Sequence, residues 1–141
     1  FGKVSAYLEA AQKETILLGG TSPAEGFIEP TVVQAARDSK LAVEEIFGPI
    51  LAVIPVDGLK EAVDIANDTD YGLAAAIWTA DLNQAVKGSR ALRAGTVFVN
   101  NWDGGDMTMP FGGFKQSGNG RDKSLHAFDK YTEIKATWIK L

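Results

Sequence analysis

The sequence contains no cysteine and one histidine, His126. The first absence excludes disulfides, thiolate zinc sites and a cysteine nucleophile within this chain. The second excludes a histidine-rich metal centre, and His126 has no partner at ligand spacing, so no metal is expected. Positive charge is also scarce: 14 Lys and Arg face 18 Asp and Glu, a formal net charge of −4, with no basic block. Nucleic acid is therefore not an expected partner. No apolar run reaches the roughly 18 residues that a membrane helix requires, so no membrane partner is expected either. No basic segment followed by an apolar one opens the chain, and a cytoplasmic location is the expectation. The chain begins at Phe1, inside a helical pattern with no capping residue ahead of it. It reads as a segment of a longer protein.

What is present points to a folded α/β domain. Hydrophobic residues make up 45% of the 141 and charged residues 23%, which rules out wholesale disorder. Val4, Tyr7, Leu8 and Ala11 recur at helical spacing and predict a helix over residues 2–14, ended by Gly19 and Gly20. Residues 28–33 read as a short strand whose Pro30 belongs at an edge or a strand start. Residues 50–56 are a nearly continuous apolar run, expected as a buried strand. Asp57-Gly58 turns the chain into a second helix carrying Leu59, Ala62, Val63 and Ala66, closed near Asn67-Asp68. A strand over 73–79 follows. Asp81 or Thr79 is placed to cap a third helix with Leu82, Ala85, Val86 and Leu92 on its apolar face. Gly95 is expected to end that helix. Residues 96–99 form a β-branched strand, 100–120 a glycine-rich irregular stretch, 121–130 a fourth helix and 132–141 a terminal strand. Alternating strands and helices predict mostly parallel pairing.

Two clusters stand out chemically. Glu44-Glu45-Ile46-Phe47-Gly48-Pro49 places two acids and a ring just before a strand. It is either a loop presenting a carboxylate and a ring to a ligand, with sugar hydroxyls as donors, or a solvated acid pair beside a Phe that anchors a turn. The second cluster, residues 100–120, ends in Pro110-Phe111-Gly112-Gly113-Phe114-Lys115-Gln116-Ser117-Gly118-Asn119-Gly120. A loop of this length in a small domain is usually functional, and paired glycines let backbone approach a ligand closely. Gly118-Asn119-Gly120 lacks the third glycine and the preceding strand of a dinucleotide fingerprint, so a ligand-facing wall or a hinge is the preferred reading. Ser117 lacks the context of a hydrolase nucleophile. Arg121 at a helix start opposes the helix dipole and points to a fixed carboxylate elsewhere, with Glu133 the nearest.

Taken in order, these blocks resemble the C-terminal part of an NAD(P)-dependent aldehyde dehydrogenase. They are Glu44 to Pro49, Asn67 to Ala75 with Gly72-Leu73-Ala74-Ala75 at its end, Ala94 to Asn100, Pro110 to Gly118 and Tyr131-Thr132-Glu133. The resemblance covers essentially the whole chain. Asp103 to Thr108 and Gln116 to Ser124 are most similar to the γ-glutamyl-γ-aminobutyraldehyde dehydrogenase branch.

The resemblance implies an α/β fold that forms part of that family's catalytic domain. Residues 1–116 would be partial catalytic domain, 117–131 a loop and helix returning toward the cofactor domain, and 132–141 an oligomerisation strand. It implies oxidation of an aldehyde to an acid with NAD or NADP, through a cysteine thiohemiacetal and a thioester. The cysteine nucleophile and glutamate base would lie upstream, so no catalytic residue is expected here. Glu45 would hold the nicotinamide ribose and Phe47 would pack near the nicotinamide. Trp102, Gly105, Asp106 and Phe111 would line the substrate funnel, with Gly105 opening its mouth where an aromatic is frequent. Asp122 stands where a glutamate is common, which leaves a proton-relay role unassigned. Arg121 and Glu133 would organise a subunit interface in a homodimer or homotetramer. The substrate would be a small aldehyde of amino or γ-glutamylamino type. The alternative is a non-catalytic interaction module that retains the fold.

Overall fold

A computed structural model describes all residues from Phe1 to Leu141. They form two compact units, Phe1–Asp57 and Gly58–Leu141. No helix in either is long and apolar enough to cross a membrane.

The first unit opens with helix α1, Gly2–Ala11. The expected apolar face is the buried one: Tyr7, Leu8 and Ala11 join Val33, Ala35, Leu41, Ile46 and Ile50 in the core. The helix stops three residues short of the expected 14. The amides of Lys13 and Glu14 bond to the carbonyls of Ala10 and Ala11, a tightened last turn. The chain then enters a strand absent from the sequence reading, β1 (Thr15–Leu18). Thr15 and Leu18 continue the spacing set by Ala11, and a short apolar run cannot be assigned to helix or strand by periodicity alone. β1 pairs antiparallel with β2 (Thr31–Gln34), and β2 pairs parallel with β3 (Ile50–Val53) in the register Thr31↔Ile50 to Gln34↔Val53. Pro30 stands just before β2, at the strand start that its missing N–H tolerates. A four-residue helix, α2 (Lys40–Val43), lies between β2 and β3, with the Ser39 hydroxyl accepting from the Leu41 amide at 3.2 Å. β3 is shorter than expected and is not fully buried. It is the edge of a three-stranded sheet, so Ile50 faces the core while Leu51 is 60% exposed.

The second unit is built on a βαβ turn. α3 (Leu59–Asn67) precedes β4 (Tyr71–Gly72) and β5 (Ala74–Ile77). α4 (Leu82–Ala91) then leads to β6 (Thr96–Val99), which runs parallel to β5 in the register Ala74↔Thr96 to Ile77↔Val99. Asp81 is the cap of α4: its Oδ1 accepts from the amides of Asn83 and Gln84 at 2.7 and 3.3 Å. The buried face of α4 is Ala85 and Gly88, whereas Leu82 is 76% exposed. Leu92, not Gly95, closes the helix. Gly95 has another use. A Cβ there would run into the carbonyl of Gly112, so this glycine lets residues 112–113 lie directly against the backbone entering β6. A short strand inside the glycine-rich stretch, β7 (Phe114–Lys115), pairs antiparallel with β4. The Lys115 ammonium donates to the carbonyls of Asn67 and Thr69 at 2.7 and 2.8 Å, holding β7 on the C-terminal end of α3. The architecture is α/β with mixed pairing: β2–β3 and β5–β6 are parallel, β1–β2 and β4–β7 antiparallel.

The end of the chain differs most from expectation. A 3₁₀ helix covers only Leu125–Lys130. Lys123 and Ser124 adopt positive φ of 57° and 51°, which stops helix growth from Arg121. Residues 132–141 form no strand: Ile134, Trp138 and Leu141 are fully exposed or nearly so. A strand requires a neighbouring edge to satisfy its backbone, and this chain places none beside that segment.

Candidate functional site

In the first unit the loop between α2 and β3 resolves the acid pair. Glu44 is occupied, its Oε2 accepting from the Tyr7 hydroxyl at 2.6 Å and lying 3.9 Å from the Lys40 ammonium. Glu45 uses only its backbone: its carbonyl accepts from the Lys3 ammonium at 3.0 Å, and its carboxylate is exposed and unbonded. Between Glu45 and Phe47, Ile46 is buried and anchors the loop. Phe47 takes a positive φ of 55° and leaves its ring 85% exposed. A ring held outward on a strained backbone does not serve a core. The loop therefore presents one free carboxylate and one bare ring, a set that can accept hydrogen bonds from paired hydroxyls and cover a flat heterocycle.

In the second unit a cleft of about 230 Å³ lies against β6 and the segment after it. Phe98, Asp103, Gly105, Asp106, Phe111 and Lys123 are among its lining residues. Three of the four expected substrate residues, Gly105, Asp106 and Phe111, thus meet at one surface. Trp102, the fourth, packs its ring on Phe98 with centroids 5.6 Å and planes 57° apart. Asn100 fixes the start of this segment, since its side chain bonds both the amide and the carbonyl of Thr79 at 2.8 and 2.9 Å. Nothing lies within 4 Å of where a Cβ on Gly105 would sit, so the cleft mouth is open there.

The polar residues of the cleft divide by occupation. Asp106 is committed to its own loop, its Oδ1 accepting from the Thr108 hydroxyl at 2.5 Å and the Thr108 amide at 2.7 Å. The Thr108 hydroxyl, followed by its amide, holds the Asp106 carboxyl below its ordinary value. Asp103, at a positive φ of 57°, keeps its carboxylate unbonded. Lys123 is half-buried, with its ammonium 5.7 Å over the Phe111 ring. Phe111 is held through its backbone by Asp122: the two residues exchange N–H to carbonyl bonds of 2.8 and 2.6 Å. The Asp122 carboxylate pairs with the Lys130 ammonium, which raises the pKa of that lysine. Lys123 was missed by sequence reasoning because it enters the cleft from a returning segment, with no local pattern to mark it.

Arg121 and Glu133 are not joined within the chain. The Arg121 guanidinium donates to the carbonyls of Gly113 and Gly120, each at 2.9 Å, and stacks 5.3 Å from the Phe114 ring. Its dipole-opposing position disappears with the helix that was expected to start there. The Ser117 hydroxyl accepts from the Gly72 amide at 3.0 Å, supporting the β4–β7 pair. The His126 ring lies 3.4 Å from Asp129 and is exposed.

Residues 1–137 match the profile of the aldehyde dehydrogenase family. The chain is 52% identical over 135 residues to the NADP/NAD-dependent aldehyde dehydrogenase PuuC of Escherichia coli, covering 94% of this chain and 27% of that one. It is 50% identical to the aminoacetaldehyde dehydrogenase of Pseudomonas aeruginosa, covering 99% of this chain and 29% of the relative. Among solved structures, the γ-glutamyl-γ-aminobutyraldehyde dehydrogenase of Burkholderia cenocepacia superposes with a TM-score of 0.90 at 56% identity, over 96% of this chain and 29% of that one. The chain spans under a third of the length of these relatives. The match runs through the loop of Glu45 and Phe47 and through every cleft-lining residue, and on that extent the chain belongs to the aldehyde dehydrogenase family.

Proposed function

We propose that this chain supplies the cofactor-facing loop and the substrate cleft of an enzyme that oxidises an aldehyde to a carboxylic acid with NAD or NADP. The bound dinucleotide would accept the hydride. These 141 residues contain no cysteine, so a cysteine nucleophile, and with it the glutamate base, would be supplied from outside them. Glu45 would take the ribose hydroxyls and Phe47 would cover the nicotinamide. Phe111, with its backbone clamped by Asp122, would form a fixed wall beside the aldehyde. We assign the enzyme to the cytoplasm as a homo-oligomer, with residues 132–141 pairing against a neighbouring subunit.

The observation that carries the substrate assignment is the exposed, unbonded Asp103 carboxylate among the residues that line the cleft. A purely aliphatic tail gains nothing from it, whereas an amino-bearing tail gains a charge pair. That pair contributes roughly 0.2–1 kcal/mol if exposed and more where the cleft excludes water. Asp106 contributes by shaping the loop, and its negative charge adds to the field of Asp103. The substrate is thus an amino or γ-glutamylamino aldehyde in preference to an alkanal.

The test compares kcat/KM for 3-aminopropanal and propanal in the full-length enzyme that carries this chain. The aminoaldehyde is expected to be preferred. Asp103→Asn should narrow the preference more than Asp106→Asn, whose Thr108 contacts the amide can partly keep. An unaltered ratio in Asp103→Asn removes Asp103 from the site. The 141-residue chain alone should form no reduced cofactor above a buffer control.

A further inference from the structure

Of the asparagines in the chain, only Asn119 is followed by glycine. The Asn67 and Asn100 side chains each bond main-chain groups, Asn101 accepts from the Trp102 amide, and Asn83 is fixed inside α4. Asn119 has no such restraint. It is exposed between Gly118 and Gly120, its carboxamide forms no hydrogen bond within the chain, and the Gly120 amide has no acceptor there. A free peptide N–H that follows an asparagine can close a small imide ring on the side-chain carbonyl carbon, and glycine has no Cβ to shield that nitrogen.

One side chain stands where the closure needs help. The Gly120 nitrogen must give up its proton, and the negative charge then spreads onto the Asn119 main-chain carbonyl oxygen. The Arg121 guanidinium reaches that oxygen, its Nη1 donating at 3.4 Å, and donates to the Gly120 carbonyl at 2.9 Å. A fixed cation beside developing negative charge stabilises it without reorganisation. Arg121 is itself held by the Gly113 carbonyl at 2.9 Å and by the Phe114 ring 5.3 Å away.

We propose that Asn119 is a self-modification site at which Arg121 promotes cyclisation and deamidation. The Gly120 nitrogen forms a bond to Asn119 Cγ, the Cγ–Nδ2 bond breaks, and ammonia leaves with the proton. Water then opens the succinimide at one of its two ring C–N bonds. One opening gives aspartate. The other gives isoaspartate, in which the main chain runs through the former side chain and gains a methylene. Carbon and nitrogen keep their oxidation states, so water is the only co-reactant. Either product sets a carboxylate beside Arg121 and draws its guanidinium from the Gly113 and Gly120 carbonyls. A Cβ on Gly112 would run into the Gly120 oxygen, so the altered turn lies directly against the residue that follows Phe111.

The experiment incubates the full-length enzyme at mildly alkaline pH and samples it over days. Peptide mapping separates asparagine, aspartate and isoaspartate at position 119, and released ammonia is assayed in parallel. The wild type should convert Asn119 before Asn67, Asn83, Asn100 or Asn101. Gly120→Ala should nearly abolish conversion over the same period, and its Cβ meets only the flexible Lys130 side chain, at 3.1 Å. Arg121→Met should slow conversion about five- to tenfold, the size of a weak hydrogen bond to a charged group. Removing a merely structural arginine would loosen the turn and speed the reaction instead. Arg121→Gln, which keeps a donor without the charge, gives the same comparison if Arg121→Met does not fold. The converted enzyme and Asn119→Asp should both melt below the wild type. An Asn119 that survives as long as Asn67 overturns the site, and conversion that is unchanged or faster in the Arg121 variants overturns the role of Arg121.

Discussion

Neighbouring residues of the same type are given opposite work by what already binds them. Glu44 and Glu45 are adjacent carboxylates, yet Tyr7 and Lys40 occupy the first and leave the second free. In the full-length enzyme, Glu45→Gln should weaken cofactor binding by about 1–3 kcal/mol, the worth of a charge-assisted hydrogen bond, with little change in unfolding temperature. Glu44→Gln should show the reverse pattern. Fluorescence titration with the cofactor and a thermal melt on both variants separate the two, and identical behaviour would remove the distinction. Asp103 and Asp106 divide in the same way. The Asp106 carboxyl titrates below its ordinary value because Thr108 donates to its charged form. A carboxyl shifted down stabilises the folded loop above its ordinary pKa, and that contribution disappears as pH falls through the lowered value. Thr108→Val should move the Asp106 midpoint upward in a carbon-13 NMR titration. An unshifted midpoint would mean that the hydroxyl is not the cause.

Among the elements, those with their own stop and start signals were the easiest to read. The sequence offered Asp81 or Thr79 as the cap of α4, and the structure selects Asp81, whose carboxylate bonds the amides of Asn83 and Gln84. Asp81→Ala should cost the folded protein about 0.5–2 kcal/mol. Denaturant unfolding checks this, and Asp81→Asn should recover most of the loss. The apolar face of that helix was less legible. Leu82 fits the period but lies in the first turn and stays exposed, while Gly88 is buried beneath the side chains of Ile77 and Leu59. A glycine carries no hydropathy signal, so a face formed by close approach is invisible to a pattern of apolar residues. The same blindness applies to Gly95 and Gly112, whose contact brings residues 112–113 to β6.

At the scale of the whole molecule, the chain ends in an apolar segment with nothing to pair with. Ile134, Trp138, Ile139 and Leu141 are all exposed, and backbone groups over residues 132–141 have no sheet edge beside them. Exposed apolar residues on a β-prone segment favour association with another chain. The 141-residue chain should therefore self-associate with increasing concentration, and removal of residues 132–141 should reduce that association in sedimentation velocity. Trp138 emission should shift to the blue as the complex forms. A strictly monomeric chain at high concentration would count against a pairing role for this segment.

From the sequence alone came the alternation of helices and strands between residues 50 and 99, Asp81 as one of two caps offered for α4, and the family to which the ordered blocks belong, because those signals are local and cumulative. It named Glu45, Phe47, Gly105 and Phe111 from such blocks. Tertiary structure decided which polar groups remain free. Whether Glu44 or Glu45, Asp103 or Asp106 keeps an open carboxylate depends on donors such as Tyr7 and Thr108, and the partner of Glu44 is 37 residues away in the chain. It also decided that residues 15–18 become a strand while 132–141 do not, since a strand exists only where another edge supplies its hydrogen bonds. Lys123 belongs wholly to this second class. Its place over the Phe111 ring follows from the backbone bridge between Phe111 and Asp122, a pairing that no local periodicity encodes.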